Sequence, residues 1–320
     1  MNHYEMLRKV SRTFSLSIEY LPQVLREAVT VAYLLFRIAD CLEDHPAIVA
    51  EHKAQLLRLW SDIVAGSHPA QDLIVQLSDL DDTDPEVYVA RHADTVLHYL
   101  NNFPEQLRNI LISHVCKTSQ GMARWQEQGP VVNTEEEMDD YMHQVAGRVG
   151  YLVTDIFSWY SPSIRKMRDS LMPLGREFGL ALQTVNIIRG LRKDYERGWI
   201  FVPATYFEKY CLSHEEFFNS PNKDKALSVI DLLVDKARRH LKNGLTYITM
   251  LPRKELRIRL SCAWPLLFAV KTLALSSNNT EVLTSEAKIT RRQVKNIVLV
   301  SSMLCWSNYL LERYYHYLEK

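Results

Sequence analysis

The amino-acid sequence predicts an all-α fold, chiefly because of how its apolar residues are spaced. Apolar side chains recur at intervals of three and four, as at Val29, Ala32 and Phe36, which is the periodicity of one helix face. Glycine and proline, the usual residues of turns between short strands, number only 10 and 12 among 320 residues, below their ordinary share. Both observations favour long helices over strands.

Helix start signals agree with this fold class. They comprise two pairs spaced as capping boxes and two prolines at a first helical position: Thr134 with Glu137, Ser213 with Glu216, Asp84-Pro85 and Ser161-Pro162. Breaks between the predicted helices fall near residues 66–69, 79–85, 101–104, 128–133, 160–163, 219–223 and 276–280. No change of composition marks a domain boundary, so we expect a single domain over residues 1–320.

The overall composition excludes two classes of protein. The 38 Lys and Arg residues balance 38 Asp and Glu residues, so the formal net charge is zero and a nucleic-acid partner has no electrostatic support. Hydrophobic residues make up 47% of the chain, far from the composition of a disordered protein. The chain is expected to bury a large core and to act without nucleic acid.

The cysteines and the chain start favour a cytoplasmic location. The cysteines are odd in number and include no CxxC pair, so neither a disulfide framework nor a zinc site is expected: Cys41, Cys116, Cys211, Cys262 and Cys305. The first residues lack the pattern of a signal peptide. The longest apolar stretch, Ile297–Leu311, is interrupted by polar residues and falls short of the roughly 20 apolar residues that span a bilayer.

A polar stripe runs along the predicted helix over residues 26–44, which is otherwise apolar on most sides. Tyr33, Arg37, Asp40 and Asp44 recur at spacings of four, three and four, and Glu43 lies beside them. Two buried carboxylates one turn apart repel each other unless a cation lies between them. Mg²⁺ suits such a pair, because it takes one or two carboxylates and completes its shell with water and phosphate oxygens. An ion-paired or solvated helix face remains the alternative.

A second polar stripe lies on the predicted helix over residues 171–195. Gln183, Asn186, Gly190 and Asp194 follow one another at spacings of three, four and four among apolar neighbours. A satisfied polar seam between packed helices would explain this helix alone. Two such helices in a chain without a dinucleotide-binding glycine motif or a P-loop favour a cavity that binds Mg²⁺ and diphosphate.

Eight of the ten glycines lie between positions 121 and 198. A glycine inside a helix costs about 1 kcal/mol relative to alanine, so this region needs close approach of its backbone to something. A ligand cavity and tight helix packing, the latter notably at Gly175 and Gly179, both remain open.

Five segments resemble the squalene/phytoene synthase family of head-to-head prenyltransferases, over nearly the whole chain and in the family's order. They are SRTFSLSIEYLP (11–22), RIADCLED (37–44), YMHQVAGRVG (141–150), ALQTVNIIRGLRKD (181–194) and RGWIFVP (197–203). The C-terminal segments SCAWPLLFAVKTLAL (261–275) and AKITRRQV (287–294) resemble the squalene-forming branch more than the phytoene-forming one.

The resemblance implies a single-domain isoprenoid synthase fold, an all-α helical bundle of the class I terpenoid synthase type with a central cavity. It also implies a prenyltransferase that joins two farnesyl diphosphates into presqualene diphosphate with Mg²⁺, and then reduces this intermediate to squalene with NADPH. A monomer is expected.

The family's motifs assign roles to residues of this chain. Catalytic roles fall on Tyr141, Asp40, Asp44, Asn186 and Asp194, and metal binding on Asp40, Glu43, Asp44, Asn186 and Asp194. Substrate binding falls on Ser11, Arg12, Phe14, Tyr33, Arg37, Val145, Gln183 and Arg189. Lys288, Arg291 and Arg292 are predicted to contact the phosphates of NADPH, with an ordinary solvated helix start as the alternative.

The second acidic motif departs from the family's pattern. This motif ends the segment at 181–194. Family members carry an Asp at its first position and usually a further acid just before its last Asp. This chain has Gly190 at the first of these positions and Lys193 before Asp194. Either the metal site is rearranged, with Arg189, Arg192 or Lys193 neutralising phosphate directly, or one half-reaction is altered. There are three rival functions. The chain could make another family product, such as dehydrosqualene, phytoene or presqualene diphosphate alone. It could be a single-diphosphate prenyltransferase or terpene cyclase, or it could be a non-enzymatic protein.

The last predicted helix, over residues 298–318, is rich in aromatic residues: Trp306, Tyr309, Tyr314, Tyr315 and Tyr317. Such a helix either closes the core or contacts a membrane surface, where Trp and Tyr are favoured. Peripheral membrane contact is therefore one expectation for this segment.

Overall fold

The computed structural model describes residues 1–11, 14–218 and 222–320. In chain order its α-helices are α1 (His3–Val10), α2 (Phe14–Glu19), α3 (Gln23–Asp44), α4 (Ala50–Val64), α5 (Gln71–Gln76), α6 (Pro85–Arg91), α7 (Ala93–Asn101), α8 (Glu105–Gln128), α9 (Glu135–Met142), α10 (Arg148–Tyr160), α11 (Pro162–Arg165), α12 (Arg168–Glu196), α13 (Ala204–Glu208), α14 (His214–Phe218), α15 (Lys223–Met250), α16 (Leu256–Ser276), α17 (Arg291–Leu304) and α18 (Asn308–Leu318). A π-helical turn (His143–Gly147) joins α9 to α10, and a 3-10 turn spans Thr280–Leu283.

The predicted all-α class is confirmed. Within the described ranges, β-pairing is limited to one isolated parallel bridge between Val131 and Ile200. The predicted helices over 26–44 and 171–195 lie inside α3 and α12.

The chain divides into two compact units. Unit 1 comprises Met1–Gly129 and Tyr151–Arg168, and unit 2 comprises Pro130–Gly150 and Asp169–Lys320. The polar stripe of α3 belongs to unit 1, whereas Tyr141 and the polar stripe of α12 belong to unit 2. A single domain over the whole chain stays a prediction.

The predicted helix starts occur, with one change. Ser213 and Glu216 form both bonds of a capping box. At the other predicted box the Thr134 hydroxyl accepts from the Glu137 backbone N–H at 3.2 Å. The Glu137 carboxylate instead accepts from the Asn133 backbone N–H at 2.7 Å, one residue before the expected position. This change ties the preceding loop to α9.

The central helix of unit 1 is α3. Its residues Leu34, Leu35 and Ile38 are fully buried, and the indole of Trp60 on α4 donates to the backbone carbonyl of Leu35 at 3.2 Å. Burying such side chains stabilises the fold by about 1.5–3 kcal/mol each. This packing holds the polar stripe of α3 in a fixed orientation.

The most apolar helix of unit 2 is α16, which corrects the sequence analysis. Helix α16, rather than Ile297–Leu311, is long and apolar enough to cross a membrane, yet 78% of its most apolar window is buried inside the protein. Its Arg259 is fully buried and donates to the carbonyls of Ile248 at 2.8 Å and Cys305 at 3.1 Å. The guanidinium thus satisfies carbonyls at the C-terminal ends of two helices. These contacts identify α16 as a core helix.

Candidate active site

In unit 1 the guanidinium of Arg37 is the centre of a polar cluster. It donates to the Tyr33 hydroxyl at 2.9 Å and to the Glu86 carboxylate at 3.1 Å, and lies 3.4 Å from the Asp40 carboxylate. The Tyr33 ring lies 5.4 Å from the guanidinium and 6.1 Å from the ring of Phe14. Tyr33, Arg37 and Asp40 of the predicted stripe therefore belong to one cluster, in which the guanidinium lies beside carboxylates.

Glu86 is a member of this cluster that sequence reasoning missed. It lies in the first turn of α6, where the Asp84 side chain accepts from its backbone N–H at 2.8 Å. The only available signal was the run of acids before Pro85, and nothing in the sequence relates that run to α3. Glu86 adds negative charge opposite Asp40.

The Asp40 carboxylate lies in an unfavourable environment for a negative charge. Desolvation, opposed by Arg37 and reinforced by Asp44 and Glu86, raises the pKa of Asp40 to about 6. Its side chain is 37% exposed, so solvent and ligands reach it. Asp44, one turn later, is exposed. A divalent cation at these carboxylates would relieve the repulsion between them.

Glu43, also predicted as a metal ligand, differs from its two acidic neighbours. It is 6% exposed, and desolvation, with added repulsion from Asp44 and Asp40, raises its pKa well above the usual value. Its role as a ligand stays a prediction.

The donor set in unit 1 fits Mg²⁺ that is shared with a phosphate ligand. In the described parts of the chain, no group of three or more His, Cys, Asp or Glu side chains is arranged to hold a metal ion. Mg²⁺ needs only one or two carboxylates when water and phosphate oxygens complete its octahedral shell. Asp40 and Asp44 supply such a pair.

The start of α2 carries two predicted substrate-binding residues. The hydroxyl of buried Ser11 accepts from the backbone N–H of Phe14 at 3.1 Å, and this bond fixes where α2 begins. Phe14 is 38% exposed, so its ring is accessible to an apolar ligand. Arg12 lies outside the described residues.

In unit 2 Tyr141 belongs to an aromatic stack. Its ring centroid lies 4.5 Å from that of Phe201 and 6.5 Å from that of Trp199, with interplanar angles of 18° and 26°. Tyr141 is 5% exposed. Stacked aromatic faces of this kind attract cations, and their bulk excludes water.

The π-helical turn after Tyr141 packs against α12 through glycines. A Cβ on Gly179 would lie 2.3 Å from the Ala146 carbonyl oxygen, and one on Gly150 would lie 1.9 Å from that of Gly175. The clustered glycines therefore permit close helix packing, one of the two readings left open by the sequence. Val145 lies half-buried within this turn, and π-helical turns are frequent at functional sites.

The polar stripe of α12 is present, but its last carboxylate is already paired. Asp194 forms an ion pair with Arg197 at 2.5 Å, which the sequence did not indicate. Asn186 is exposed and Gln183 half-buried. A Cβ on Gly190 would lie 3.3 Å from the Asp194 carboxylate, so position 190 directly faces that side chain.

Cations surround the second stripe. The Nε atom of Arg189 is buried without a hydrogen-bond partner among the described residues. The ammonium of Lys288 lowers the pKa of Glu286, and Arg189 and Lys193 contribute to the same shift. Lys288 and Glu286 form an ion pair. Cations of α12 and of the segment before α17 thus act on the same carboxylate.

A small pocket in unit 2 borders this stripe. It encloses about 10 Å³, room for about one water molecule. Its lining includes Leu191, Asp194, Trp199, Phe201, Phe207 and Phe217. The central cavity implied by the family resemblance stays a prediction.

A buried ion-pair network fixes the helix that carries Tyr141, and sequence reasoning missed it. The side chain of Lys236 is 1% exposed, and its ammonium lies 2.9 Å from the Glu135 carboxylate and 2.6 Å from that of Asp139. The Tyr206 hydroxyl donates to Glu135 at 2.7 Å. Because Glu135 and Asp139 lie on α9, six and two residues before Tyr141, the network anchors that helix to α15.

The predicted cofactor-binding cations lie at the start of α17. Arg291 and Arg292 are exposed in its first turn, and Lys288 is exposed beside Glu286. Thr290 and Gln293 form a capping box at this start. Guanidinium groups beside a helix N-terminus suit phosphate, so the residues fit the predicted contact with a dinucleotide.

Comparison with known proteins gives matches along nearly the whole chain. Residues 7–293 match the squalene/phytoene synthase family. The squalene synthase of Schizosaccharomyces pombe is 29% identical over 303 residues, covering 93% of this chain and 64% of that protein. The human squalene synthase is 28% identical over 302 residues, covering 92% of this chain and 68% of that protein. The chain thus spans about two thirds of the length of these relatives.

Solved structures show the same fold. A complex of TcSQS with a ligand superposes with a TM-score of 0.85 at 25% identity, covering 99% of this chain and 90% of that chain. A dehydrosqualene synthase with a ligand superposes with a TM-score of 0.65 at 15% identity, covering 93% of each chain. These likenesses confirm the isoprenoid synthase type of helical fold.

The family match covers far more than half of the chain and includes both helices that carry the polar stripes. It confirms the resemblance, and with it the class of protein, a family of prenyltransferase enzymes. The chain belongs to the squalene/phytoene synthase family.

Proposed function

We propose that this protein condenses two molecules of farnesyl diphosphate head to head into presqualene diphosphate and reduces that intermediate to squalene. The observation that carries the proposal is the cluster of Arg37, Tyr33, Asp40 and Glu86 in unit 1, a cation and acids of the kind that bind Mg²⁺ and diphosphate together. The squalene synthases among the relatives support the choice of product.

Arg37 is the proposed diphosphate ligand of the first site. Its planar guanidinium donates in pairs to phosphate oxygens. Its two terminal nitrogens donate to Glu86 and Tyr33, so the guanidinium is held in place before substrate arrives. Phosphate binding would exchange a carboxylate partner for a phosphate oxygen.

Asp40 and Asp44 would hold Mg²⁺, which would supply Lewis-acid assistance to departure of the diphosphate. Lys288, Arg291 and Arg292 would hold NADPH, which would supply the hydride of the second step. Both cofactors are part of the proposal. The protein residues bind, orient and shield the reacting chains.

Tyr141 is the proposed proton-handling group of the first half-reaction. Its ring stacks on that of Phe201, and a phenol can stabilise or relay charge beside a carbocation. The rings of Phe201 and Trp199 exclude water that would otherwise capture the cation. Val145, on the adjoining turn, provides an apolar contact for a prenyl chain.

Gln183, Asn186 and Asp194 are the proposed ligands of the second diphosphate site. Amide and carboxylate oxygens suit Mg²⁺, while Arg189 and Lys193 neutralise phosphate directly. The pairing of Asp194 with Arg197 leaves this site with less free negative charge than the first.

That weaker second site favours one alternative function. With Gly190 in place of an acid, the chain would bind a single diphosphate firmly and act as a single-diphosphate prenyltransferase or terpene cyclase. Dehydrosqualene, phytoene or presqualene diphosphate alone, the other family products, would differ in needing no hydride donor. A cytoplasmic monomer remains part of the proposal.

Product analysis tests the proposal. Purified protein is incubated with farnesyl diphosphate and Mg²⁺, with and without NADPH, and the lipids are identified by mass spectrometry. Squalene with NADPH and presqualene diphosphate without it are expected. The same lipid in both incubations, or only lipids with one farnesyl chain, would contradict the proposal.

A further inference from the structure

One nitrogen of Arg37, Nη1, faces two carboxylates at once. It lies 3.1 Å from the Glu86 carboxylate of α6 and 3.4 Å from the Asp40 carboxylate of α3. The other terminal nitrogen, Nη2, donates to the Tyr33 hydroxyl at 2.9 Å. The single positive charge of the guanidinium is therefore set against two nearby negative charges.

Arg37 keeps hydrogen-bonding capacity beyond these contacts. Its Nε atom is buried and has no hydrogen-bond partner among the described residues, and its side chain is 24% exposed. A guanidinium offers five N–H donors in a planar fork that suits phosphate oxygens. An incoming diphosphate can therefore gain contacts with Arg37, but on Nη1 it competes with the carboxylates of Glu86 and Asp40.

Of these two carboxylates, that of Glu86 is the better placed to be displaced. The Asp84 side chain accepts from the Glu86 backbone N–H at 2.8 Å in the first turn of α6, so the backbone is held independently of the carboxylate. The Glu86 side chain is 38% exposed, and solvent is available for it to turn into. Asp40, by contrast, is assigned to Mg²⁺ by the proposed function.

Glu86 also belongs to an acidic segment of the chain. Residues 79–91 contain five acids and one cation, Arg91. The acids are Asp79, Asp81, Asp82, Asp84 and Glu86. Such an excess of negative charge repels a free diphosphate and attracts a divalent cation. The surroundings of Arg37 thus disfavour a diphosphate whose charge is not partly neutralised.

We propose that Glu86 makes diphosphate binding at Arg37 depend on a divalent cation. Glu86 holds the guanidinium and repels a free diphosphate, and it yields its place on Nη1 to a phosphate oxygen once the charge of the diphosphate is partly neutralised. Diphosphate and Mg²⁺ then bind cooperatively, and the coupling is reciprocal. The proposal rests on the proposed function, because it assigns a regulatory residue to the same diphosphate site.

Calorimetric titration with inorganic diphosphate tests the proposal without any reaction. The affinity of each protein is measured in EDTA and in excess Mg²⁺, and the ratio of the two affinities expresses the coupling. Inorganic diphosphate also binds Mg²⁺ in solution, but this effect is the same for every variant and cancels when the ratios are compared. The second diphosphate site, proposed for unit 2, is likewise common to all variants.

The variant Glu86→Gln keeps the size of the side chain and an oxygen that accepts from Arg37, and it removes the charge. We expect it to bind diphosphate in EDTA about three- to fivefold more tightly than the parent, which is the effect of one partly exposed charge pair. Its affinity in Mg²⁺ should not rise, so the ratio of affinities should fall by at least the same factor. Circular dichroism and the thermal midpoint should match those of the parent.

Two controls separate the role of Glu86 from a general effect of charge. Glu105→Gln removes an exposed acid from the first turn of α8 in the same unit, and it should bind diphosphate as the parent does in both media. In an Arg37→Gln background, Glu86→Gln should lose most of its effect, because the guanidinium for which Glu86 and phosphate compete is gone.

Two outcomes would overturn the proposal alone. Unchanged or weaker diphosphate binding by Glu86→Gln in EDTA would show that Glu86 only holds Arg37 in place. An equal gain in the Arg37→Gln background would assign the effect to long-range charge. Failure of the parent to bind diphosphate in Mg²⁺ would instead refute the proposed function, and this proposal with it.

Discussion

Ionised Asp40 lowers the stability of the folded chain. Its pKa is raised from 3.8 to about 6, so the folded state binds this proton more tightly than the unfolded state does. The stability that protonated Asp40 contributes is complete below about pH 3.8 and is lost as the pH rises through about 6. A ligand that carries positive charge reverses this loss, which is how a site built for a cation behaves.

Replacement of Asp40 should therefore separate activity from stability. We expect Asp40→Asn and Asp44→Asn each to lower turnover at least about 100-fold, because each removes an anionic Mg²⁺ ligand and keeps the side-chain size. At pH 8 Asp40→Asn should leave the thermal midpoint unchanged or higher.

The matched control is Asp62→Asn, at an exposed position of α4 in the same unit, which should retain full turnover. Diphosphate release at the parent rate by both Asp40→Asn and Asp44→Asn would contradict the assignment of these residues as Mg²⁺ ligands.

Tyr141 offers a second test of a single group. Tyr141→Phe keeps the ring that stacks on Phe201 and removes only the hydroxyl, so we expect turnover to fall about 10- to 100-fold with no change in thermal midpoint. Tyr141→Leu should lose the stack as well. Parent-like turnover of Tyr141→Phe, measured as diphosphate release from farnesyl diphosphate, would exclude a role for the phenol.

Which site residues a sequence reveals depends on how far apart they lie along the chain. Tyr33, Arg37 and Asp40 share one helix, so helical spacing alone placed them together. Glu86 and Arg197 could not be found this way. Glu86 reaches the site from another helix, and Arg197 follows the predicted stripe in a turn whose path the sequence did not specify.

Close packing at the π-helical turn leads to a prediction for two glycines of the same helix. Gly179→Ala would place a Cβ 2.3 Å from the Ala146 carbonyl oxygen, and we expect it to lower the free energy of unfolding by about 3 kcal/mol. Gly190→Ala meets only the flexible Asp194 side chain, so it should be neutral or stabilise by up to about 1 kcal/mol. Urea unfolding measures both, and equal effects would refute the packing account.

The contact between α12 and α15 gives a pH dependence of stability. His240 lies 2.6 Å from the Glu177 carboxylate, and this hydrogen bond is the main reason that the pKa of Glu177 falls from 4.5 to about 2. A lowered folded pKa contributes stability above about 4.5 that is lost as the pH falls toward about 2.

Glu177→Gln should accordingly be less stable than the parent by about 2–3 kcal/mol at pH 7, with a gap that narrows below pH 4.5. Glu208→Gln, at an exposed position of unit 2, serves as the control and should show no such gap. Urea midpoints between pH 7 and pH 3.5 would reveal it, and a gap that stays constant across that range would contradict the assignment.

Long helices were the most predictable elements, because α3 and α12 carry many turns of consistent spacing. The π-helical turn was not predictable. The turn packs closely against Gly179 of α12, and the local sequence contains no signal for such contact. Helix α16 was underestimated because Arg259 and Pro265 interrupt its apolar pattern, although Arg259 is fully buried and satisfied by carbonyls of other helices.

The chain as a whole combines a family match over residues 7–293 with an altered second acidic motif. The first motif and Tyr141 stand at the positions to which the family resemblance assigns catalytic roles. Gly190 and the Asp194–Arg197 pair reduce the free negative charge of the second site. The central claim is that two diphosphates are nevertheless processed.

Counting released diphosphate per lipid product tests that claim most directly. Without NADPH, the account predicts one diphosphate released for every two farnesyl diphosphates consumed, because presqualene diphosphate retains the other. With NADPH, it predicts two diphosphates released for every two farnesyl diphosphates consumed, together with one NADPH oxidised per squalene. Release of one diphosphate for each farnesyl diphosphate in the absence of NADPH, with products of a single farnesyl chain, would contradict the account.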